Sequence, residues 1–189
     1  MEFQEVLQRR YSCRSYADRP VEREKLASCL EAGRISPSGC NTQRWKFIAV
    51  DDPAQCSRMA DAMQAPPEIG INTFTHSIPA FVAVLRHPPR RELNEKQKKI
   101  IGKFDHQDID IGIAAQQICL AATDLGLGSI MLGWFEEQAI KNVLSIPEGL
   151  SVALVIGIGY AKTESVRKPG RYPAEQIYSW NHYDDEKSS

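Results

Sequence analysis

Apolar and polar positions recur along the chain with two different periods, which divide it into candidate helices and strands. Apolar residues spaced three and four positions apart predict helices over residues 2–10, 22–34, 53–63, 108–128 and 136–144. Short runs rich in β-branched and aromatic residues predict strands over residues 45–50, 80–86, 129–132 and 151–160. The polar residues 87–104 predict an excursion that covers a site or extends into solvent.

Glycine and proline residues mark where these elements end. Gly126 and Gly128 are expected to close the longest helix, and Pro147 to stop the helix that follows it. From Ala161 onward the sequence is polar, basic and aromatic without a period, which predicts an extended C-terminal arm over residues 161–189. No internal repeat and no second domain is evident, so residues 1–189 are expected to form a single domain.

Composition and charge narrow the classes of partner. The 189 residues carry a formal net charge of −1, which gives no overall reason to bind nucleic acid or an acidic membrane surface. Five cysteines, an odd number without a CxxC pair, indicate neither a disulfide framework nor a zinc site. The charged, helix-patterned start differs from a secretory signal, and no apolar stretch is long enough to span a bilayer, so a cytoplasmic protein is expected.

Several stretches look like cofactor-binding or metal-binding motifs but lack the required spacing or context. The GxG in "GLGSIMLG" follows a helix instead of a strand, so it does not predict a dinucleotide-binding fingerprint. The four histidines lack metal-ligand spacing, and no metal site is expected. Asp105, Asp108 and Asp110 are better interpreted as caps and dipole partners of the following helix than as metal ligands.

Three separated stretches share one chemistry. The N-terminal segment, residues 10–16, supplies guanidinium groups and a hydroxyl, and the polar loop, residues 36–43, supplies hydroxyl and amide groups. The stretch "RKPGR" adds Arg167, Lys168 and Arg171. Because guanidinium groups bind phosphate and amides recognise heterocycles, the set suits a flat, polar ligand with a phosphate. Taken singly, each stretch is more simply interpreted as a solvated face or a turn.

The order of these stretches resembles a known family. "RRYSCRSY", "SPSGCNTQRWKF", "AAQQICLAATDLGLGSIMLGW", "GIGYAK" and "KPGRYP" together are similar to the FMN-dependent nitroreductase family over almost the whole chain. The resemblance implies an α+β fold, a three-layer sandwich with a mostly antiparallel central sheet flanked by helices. It also implies a homodimer in which the C-terminal arm is exchanged between the subunits.

The resemblance further implies an FMN site and a role for each matching residue. Arg10 and Arg171, with Lys168, would hold the phosphate. Arg14 would lie near N1 and the C2 carbonyl and stabilise the charge that the ring gains on reduction. The backbone N–H of Gly133 would face flavin N5, and no side chain would act as a nucleophile. The full set implied for FMN is Arg10, Tyr11, Ser12, Arg14, Pro37, Ser38, Gly39, Asn41, Leu132, Gly133, Lys168 and Arg171.

The polar loop is expected to act across the dimer. By resemblance, Pro37, Ser38 and Asn41 approach the flavin that is held mainly by the other subunit. Trp45, just beyond the loop, is expected to pack in the core. Leu132 departs from the acidic residue present at this position in some members, which changes the local polarity.

The implied reaction is hydride transfer from NADH or NADPH through flavin N5 to a nitroaromatic, quinone or similar acceptor. One pocket would serve donor and acceptor in turn, which predicts ping-pong kinetics. Three alternatives stay open: another flavin reaction on the same fold, such as dehalogenation or enoate reduction, a non-catalytic flavin-binding protein, and a dimeric interaction module without a cofactor.

Overall fold

Six helices and four strands form the part of the chain that the computed structural model describes, residues 1–66, 68–163 and 169–183. The helices are α1 Phe3–Arg9, α2 Arg23–Arg34, α3 Pro53–Met63, α4 Glu95–Lys103, α5 Gln107–Asp124 and α6 Glu137–Leu144. The strands are β1 Trp45–Val50, β2 Ala80–Arg86, β3 Gly128–Leu132 and β4 Ser151–Gly159. Among these residues, none of the helices combines the length and the apolar character needed to cross a membrane.

The four strands form one antiparallel sheet in the order β1-β2-β4-β3. Val82 of β2 pairs with Ile156 of β4, and Ile130 of β3 pairs with Gly157 of β4. The two central strands are nearly continuous apolar runs because helices cover the sheet on both faces. β1 and β3 are therefore the edge strands.

Helices pack on the two faces of the sheet and create two buried clusters. On one face, α2 and α5 contact each other, and Ile118 of α5 belongs to the same cluster as Val82. On the other face, Met59 of α3 and Ile140 of α6 cluster with Phe81. This arrangement confirms the three-layer α+β architecture with an antiparallel sheet, whereas exchange of the C-terminal arm stays a prediction.

Several boundaries match the sequence prediction because local signals define them. β1, α3 and β2 span the predicted residues. Pro53 begins α3, and the carboxylate of Asp52 accepts the N–H of Gln55 at 2.8 Å, which caps the helix. Trp45 is 4% exposed and lies in the core, as expected.

The end of the longest helix differs from the prediction. α5 ends at Asp124, and Gly126, with φ of +76°, turns the chain. Gly128 does not close the helix but begins β3. A Cβ atom at Gly128 would lie 2.9 Å from the side chain of Cys13, so this glycine permits a close approach between two segments.

The polar excursion at residues 87–104 contains a helix that the sequence analysis did not predict. Asn94 caps α4 by accepting the N–H of Gln97, and the Gln97 side chain accepts the N–H of Asn94 in return. This capping box is a local start signal that compensates for the absence of buried residues in α4.

Candidate functional site

The N-terminal segment crosses the end of the sheet where β3 begins and β4 ends. Ser12 pairs with Ser129 of β3, and the N–H of Cys13 donates to the carbonyl of Ser129 at 3.0 Å. Immediately after the segment, the N–H of Ala17 donates to the carbonyl of Tyr160 at 2.8 Å. Backbone hydrogen bonds to β3 and to the residue that follows β4 therefore fix the course of the segment.

Two buried side chains anchor this segment against two paired glycines. Cys13 and Tyr16 are buried, and the Tyr16 hydroxyl donates to the carbonyl of Cys13 at 3.1 Å. Gly128 and Gly159 are paired in the sheet, and a Cβ atom on them would lie 2.9 Å from Cys13 and 2.7 Å from Tyr16. Because these anchors point inward, the intervening Arg14 is exposed.

The two cations of the segment, half-buried Arg10 and exposed Arg14, have no carboxylate partner within the described residues. There, the Arg10 guanidinium makes no hydrogen bond or ion pair, and the Arg14 guanidinium donates only to the carbonyl of Ser12 at 3.3 Å. By contrast, the neighbouring Arg9 pairs with Glu5 at 3.0 Å. Two guanidinium groups are therefore available to an anion, which they bind with charge-assisted hydrogen bonds.

Tyr11 faces the core, unlike the exposed Ser12 that follows it. Its ring packs against the core, and its hydroxyl donates to the Sγ atom of Cys13 at 3.6 Å. Desolvation, followed by this hydrogen bond, raises the pKa of Tyr11 to about 12. The side chain is a neutral phenol that helps to fix the segment, and Ser12 next to it is exposed.

β3 connects the N-terminal segment to Gly133. Gly133 lies four residue steps of extended chain beyond Ser129, a distance of about 13 Å. In the described part of the chain, the Gly133 N–H has no acceptor, and a Cβ atom there would meet nothing within 4 Å. Leu132 is buried in the core, whereas Met131 is 39% exposed on the opposite face. The open N–H of Gly133 thus directly follows the strand against which the cation-bearing N-terminal segment lies.

The polar loop has a strained backbone held by a buried carboxylate. The N–H of Gly39 donates to both oxygens of Asp110 in α5, at 3.0 and 3.1 Å. Cys40 and Asn41 adopt positive φ values of 52° and 53°, which cost non-glycine residues roughly 1 kcal/mol each. Asn41 and Pro37 are exposed, and Ser38 is half-buried.

One chain does not bring the polar loop next to the N-terminal segment. The loop leads into β1, whereas the segment lies against β3 at the other edge of the sheet. Three strand spacings, about 14 Å, separate these two edges. The sequence analysis expected the loop to act across a homodimer, and that expectation stays a prediction.

The described part of the C-terminal arm, residues 169–183, has few contacts with the rest of the chain. Arg171 is exposed and donates to the carbonyls of Pro169 and Gly170 at 3.3 and 3.0 Å. Arg167 and Lys168 lie outside the described residues. Large apolar side chains of the arm are 60–82% exposed, namely Tyr172, Ile177, Tyr178, Trp180 and Tyr183. The contacts of Arg171 do not include Arg10 or Arg14.

The three aspartates before and within α5 have separate partners. Asp105 accepts the N–H of Gln107 at 2.9 Å, which lowers the pKa of that carboxyl, and it also pairs with Arg44. Asp108 pairs with Arg86 at 2.7 Å. Asp105 therefore accepts the first N–H of α5 from just before the helix, and Asp110 lies in its first turn, near the positive end of the helix dipole, and also bonds to the polar loop.

Asn72 is a positioned residue that sequence reasoning missed. Its φ is 61°, and its Nδ2 atom donates to the carbonyls of Met63 and Trp134 at 3.0 and 3.3 Å. These hydrogen bonds tie the chain just after Gly133 to the end of α3. No spacing in the sequence indicates the contact, because it joins residues 62 positions apart.

The architecture places the protein among α+β sandwiches of the nitroreductase type. The model of the Nitroreductase family matches residues 7–160. The chain belongs to this family, and it is therefore an oxidoreductase.

Relatives and solved structures agree with this assignment. A protein of Archaeoglobus fulgidus named as an NADH dehydrogenase/NAD(P)H nitroreductase is 32% identical over 162 residues, covering 82% of this chain and 83% of the relative. A nitroreductase family protein from Clostridium difficile 630 superposes with a TM-score of 0.76 at 27% identity, over 97% of this chain and 100% of the other. An FMN-dependent nitroreductase from Clostridium difficile R20291 gives a TM-score of 0.71 at 26% identity, over 94% and 98% of the chains.

Proposed function

We propose that this chain forms a homodimeric FMN-dependent oxidoreductase that transfers hydride from NADH or NADPH to a nitroaromatic, quinone or similar acceptor. The observation that carries the proposal is the N-terminal segment. It is fixed to β3 with Arg10 and Arg14 free of ion pairs in the described residues, and β3 leads to the open N–H of Gly133. These features suit an elongated ligand with an anionic group and a ring that accepts hydrogen bonds.

The residues of the chain fit the parts of FMN, which when bound supplies the hydride chemistry at its N5 atom. Arg10 and Arg171 would hold the phosphate, together with Lys168 from outside the described residues. Ser12 and Arg14 contact the ring, where the Arg14 cation stabilises the negative charge gained on reduction. The exposure of Arg14 and its single weak contact, with the carbonyl of Ser12, support this role.

Gly133 provides the hydrogen bond that orients the reactive edge of the ring. Its N–H would donate to N5, and the lack of a side chain would let the backbone approach the ring closely. Met131 adds apolar surface beside it, while Leu132 contributes to the core instead of supplying a charge. The protein's own groups therefore position the ring and tune its charge, and protons come from water.

Exposed apolar rows support the homodimer. Phe3 and Leu7 lie one turn apart on α1, Ile109 and Ile113 lie one turn apart on α5, and all four are 38–63% exposed. The exposed aromatic side chains of the C-terminal arm add further apolar surface. In the dimer, the polar loop of one subunit contacts the flavin held by the other, because the loop and the N-terminal segment lie at opposite edges of one sheet.

A single pocket serves donor and acceptor in turn. No dinucleotide-binding fingerprint follows a strand in the sequence, which supports the use of one flavin face by both substrates. The kinetics are then ping-pong, and each substrate competes with the other for the free site.

Anaerobic mixing of the FMN-reconstituted protein with NADH and with NADPH tests the proposal. We expect the visible flavin band to bleach with at least one donor and to return when a nitroaromatic or a quinone is added. Steady-state plots at several acceptor concentrations should give parallel double-reciprocal lines. A protein that binds no FMN, or whose bound FMN is bleached by neither donor, overturns the proposal.

A further inference from the structure

We propose that Asp110 is a positioning residue for the flavin site, because it holds the polar loop in the conformation that contacts the flavin of the second subunit. This inference rests on the proposed function and adds to it a residue that lies outside the set matched to FMN. The geometry points to a chain of contacts that runs from α5, through Asp110 and Gly39, to the exposed tip of the loop at Asn41.

The environment of Asp110 differs from that of the other acidic residues nearby. Asp110 is 5% exposed, and its two oxygens both accept the N–H of Gly39. Asp105 and Asp108 are solvent-exposed, and each pairs with an arginine. A carboxylate is costly to bury, and this one is offset by the Gly39 N–H and by the dipole at the start of α5. The loop is therefore tied to the helix at one defined point.

The rest of the loop is built around that fixed point. The Thr42 hydroxyl donates to the carbonyl of Gly39 at 2.8 Å, and Arg91 donates to the carbonyl of Cys40 at 2.9 Å. Cys40 and Asn41 hold left-handed conformations that an unrestrained loop leaves readily. A Cβ atom at Gly39 would lie 3.2 Å from the ring of His106, so the backbone sits tightly against the start of α5.

The same turn of α5 also carries apolar residues that we assign to the dimer. Ile109, directly before Asp110, and Ile113, three residues after it, are 54% and 38% exposed. Because one rigid helix turn carries both the interface and the anchor of the loop, assembly of the subunits sets the position of Asn41 relative to the second subunit's flavin. Loss of the Asp110 anchor leaves the interface in place and releases only the loop.

Asp110→Asn and Asp110→Ala test this role, with Asp108→Asn as the matched control from the same helix turn. FMN affinity is measured by titration of the apoprotein, the flavin environment by visible circular dichroism, and stability by thermal unfolding of the apo forms. We expect Asp110→Ala to raise the FMN dissociation constant about tenfold or more, the factor expected when a hydrogen bond to a charged group is lost. The visible circular dichroism changes with it, and Asp110→Asn gives a smaller change because its amide oxygen still accepts one hydrogen bond.

The control distinguishes positioning from general stability. Asp108→Asn loses its pairing with Arg86 but should keep the wild-type FMN affinity and circular dichroism. If the Asp110 variants melt earlier yet bind FMN with wild-type affinity and spectrum, Asp110 is only structural and the inference is wrong. If Asp110→Ala does not fold, Asp110→Asn, which keeps the shape of the side chain, decides by the same measurements. A wild-type protein that binds no FMN overturns the proposed function itself, and with it this inference.

Discussion

The N-terminal segment and the C-terminal arm both carry cations that we assign to the FMN phosphate, Arg10 in the first and Arg171 in the second. The segment is fixed by backbone hydrogen bonds to β3 and to the residues just after β4, and by the buried ring of Tyr16. The described residues of the arm bond mainly to their own neighbours, such as Pro169, and their large apolar side chains are exposed.

This difference distinguishes a segment whose contacts are complete within one chain from an arm whose apolar side chains need a second chain to cover them. A segment whose hydrogen bonds and apolar side chains are satisfied in one chain keeps its shape without a partner. An arm that exposes several aromatic rings gains most by burying them on another surface, at about 25 cal/mol per Å² of apolar area. Four predictions test this contrast, beginning with the largest effect.

Removal of the C-terminal arm after Lys168 should abolish both dimerisation and FMN binding. The truncated chain loses Arg171 and the exposed aromatic surface, while the helices and strands of the sandwich stay intact. Size-exclusion chromatography with light scattering measures the mass, and the visible spectrum measures FMN content. Glu175→Gln, an exposed polar change in the same arm, serves as the control and should behave as wild type. A truncated chain that remains a dimer with tightly bound FMN contradicts the contrast.

Tyr16→Ala should lower the free energy of unfolding by about 3–5 kcal/mol, as expected when a buried aromatic ring is removed. The loss comes from the cavity beside Gly159 and from the missing hydrogen bond to the Cys13 carbonyl. Chemical denaturation should give the same destabilisation at every protein concentration. Tyr172→Ala is the comparison in the arm, and its effect should depend on protein concentration, because in the proposed homodimer its ring would pack on the second chain. If Tyr16→Ala and Tyr172→Ala destabilise the protein equally at every protein concentration, the proposed difference between segment and arm is wrong.

Arg14→Gln should slow flavin reduction by NADH or NADPH about 10- to 100-fold and shift the flavin midpoint potential to a more negative value. The exposed guanidinium has no carboxylate partner among the described residues, so the melting temperature should hardly change. Stopped-flow absorbance and a redox titration provide the two readouts. Arg9→Gln, which removes an exposed cation paired with Glu5, is the control. Unchanged reduction in Arg14→Gln would show that this cation does not act on the ring.

The smallest effect concerns acid stability at the junction between β4 and the arm. The Tyr160 hydroxyl donates to Glu22 at 2.7 Å and, as the largest cause, lowers the pKa of Glu22 to about 2 from its ordinary 4.5. A carboxyl with a depressed folded-state pKa stabilises the fold fully above its unfolded value of 4.5. That stabilisation is lost as the pH falls from 4.5 towards 2.

Tyr160→Phe should therefore show a weaker loss of thermal stability than wild type between pH 5 and pH 3, a window on the acid side of the ordinary carboxyl pKa. Tyr178→Phe makes the same chemical change in the arm and should reproduce the wild-type pH profile. Identical profiles for all three proteins would exclude Glu22 as a source of the acid dependence. Differential scanning calorimetry in matched buffers gives the comparison.

The elements with strong local signals were predicted well. β1, α3 and β2 have the predicted bounds because their apolar periods and the Asp52–Pro53 start are encoded within a few residues. α4 was missed because its face is polar and its only start signal is the capping box at Asn94. Gly128 was assigned to the helix because a glycine that permits a long-range contact with Cys13 has the same appearance in sequence as one that ends a helix.

The sequence by itself determined most of the secondary structure, the family resemblance and the identities of the candidate FMN-binding residues, because these depend on residue type and short spacing. Only the tertiary structure decided that the N-terminal segment lies against β3, and that the polar loop leads into β1 at the opposite edge of the sheet and bonds to Asp110. Strand order and long-range contacts, such as that between Ser12 and Ser129, are set by packing of the whole core, and no local spacing encodes them.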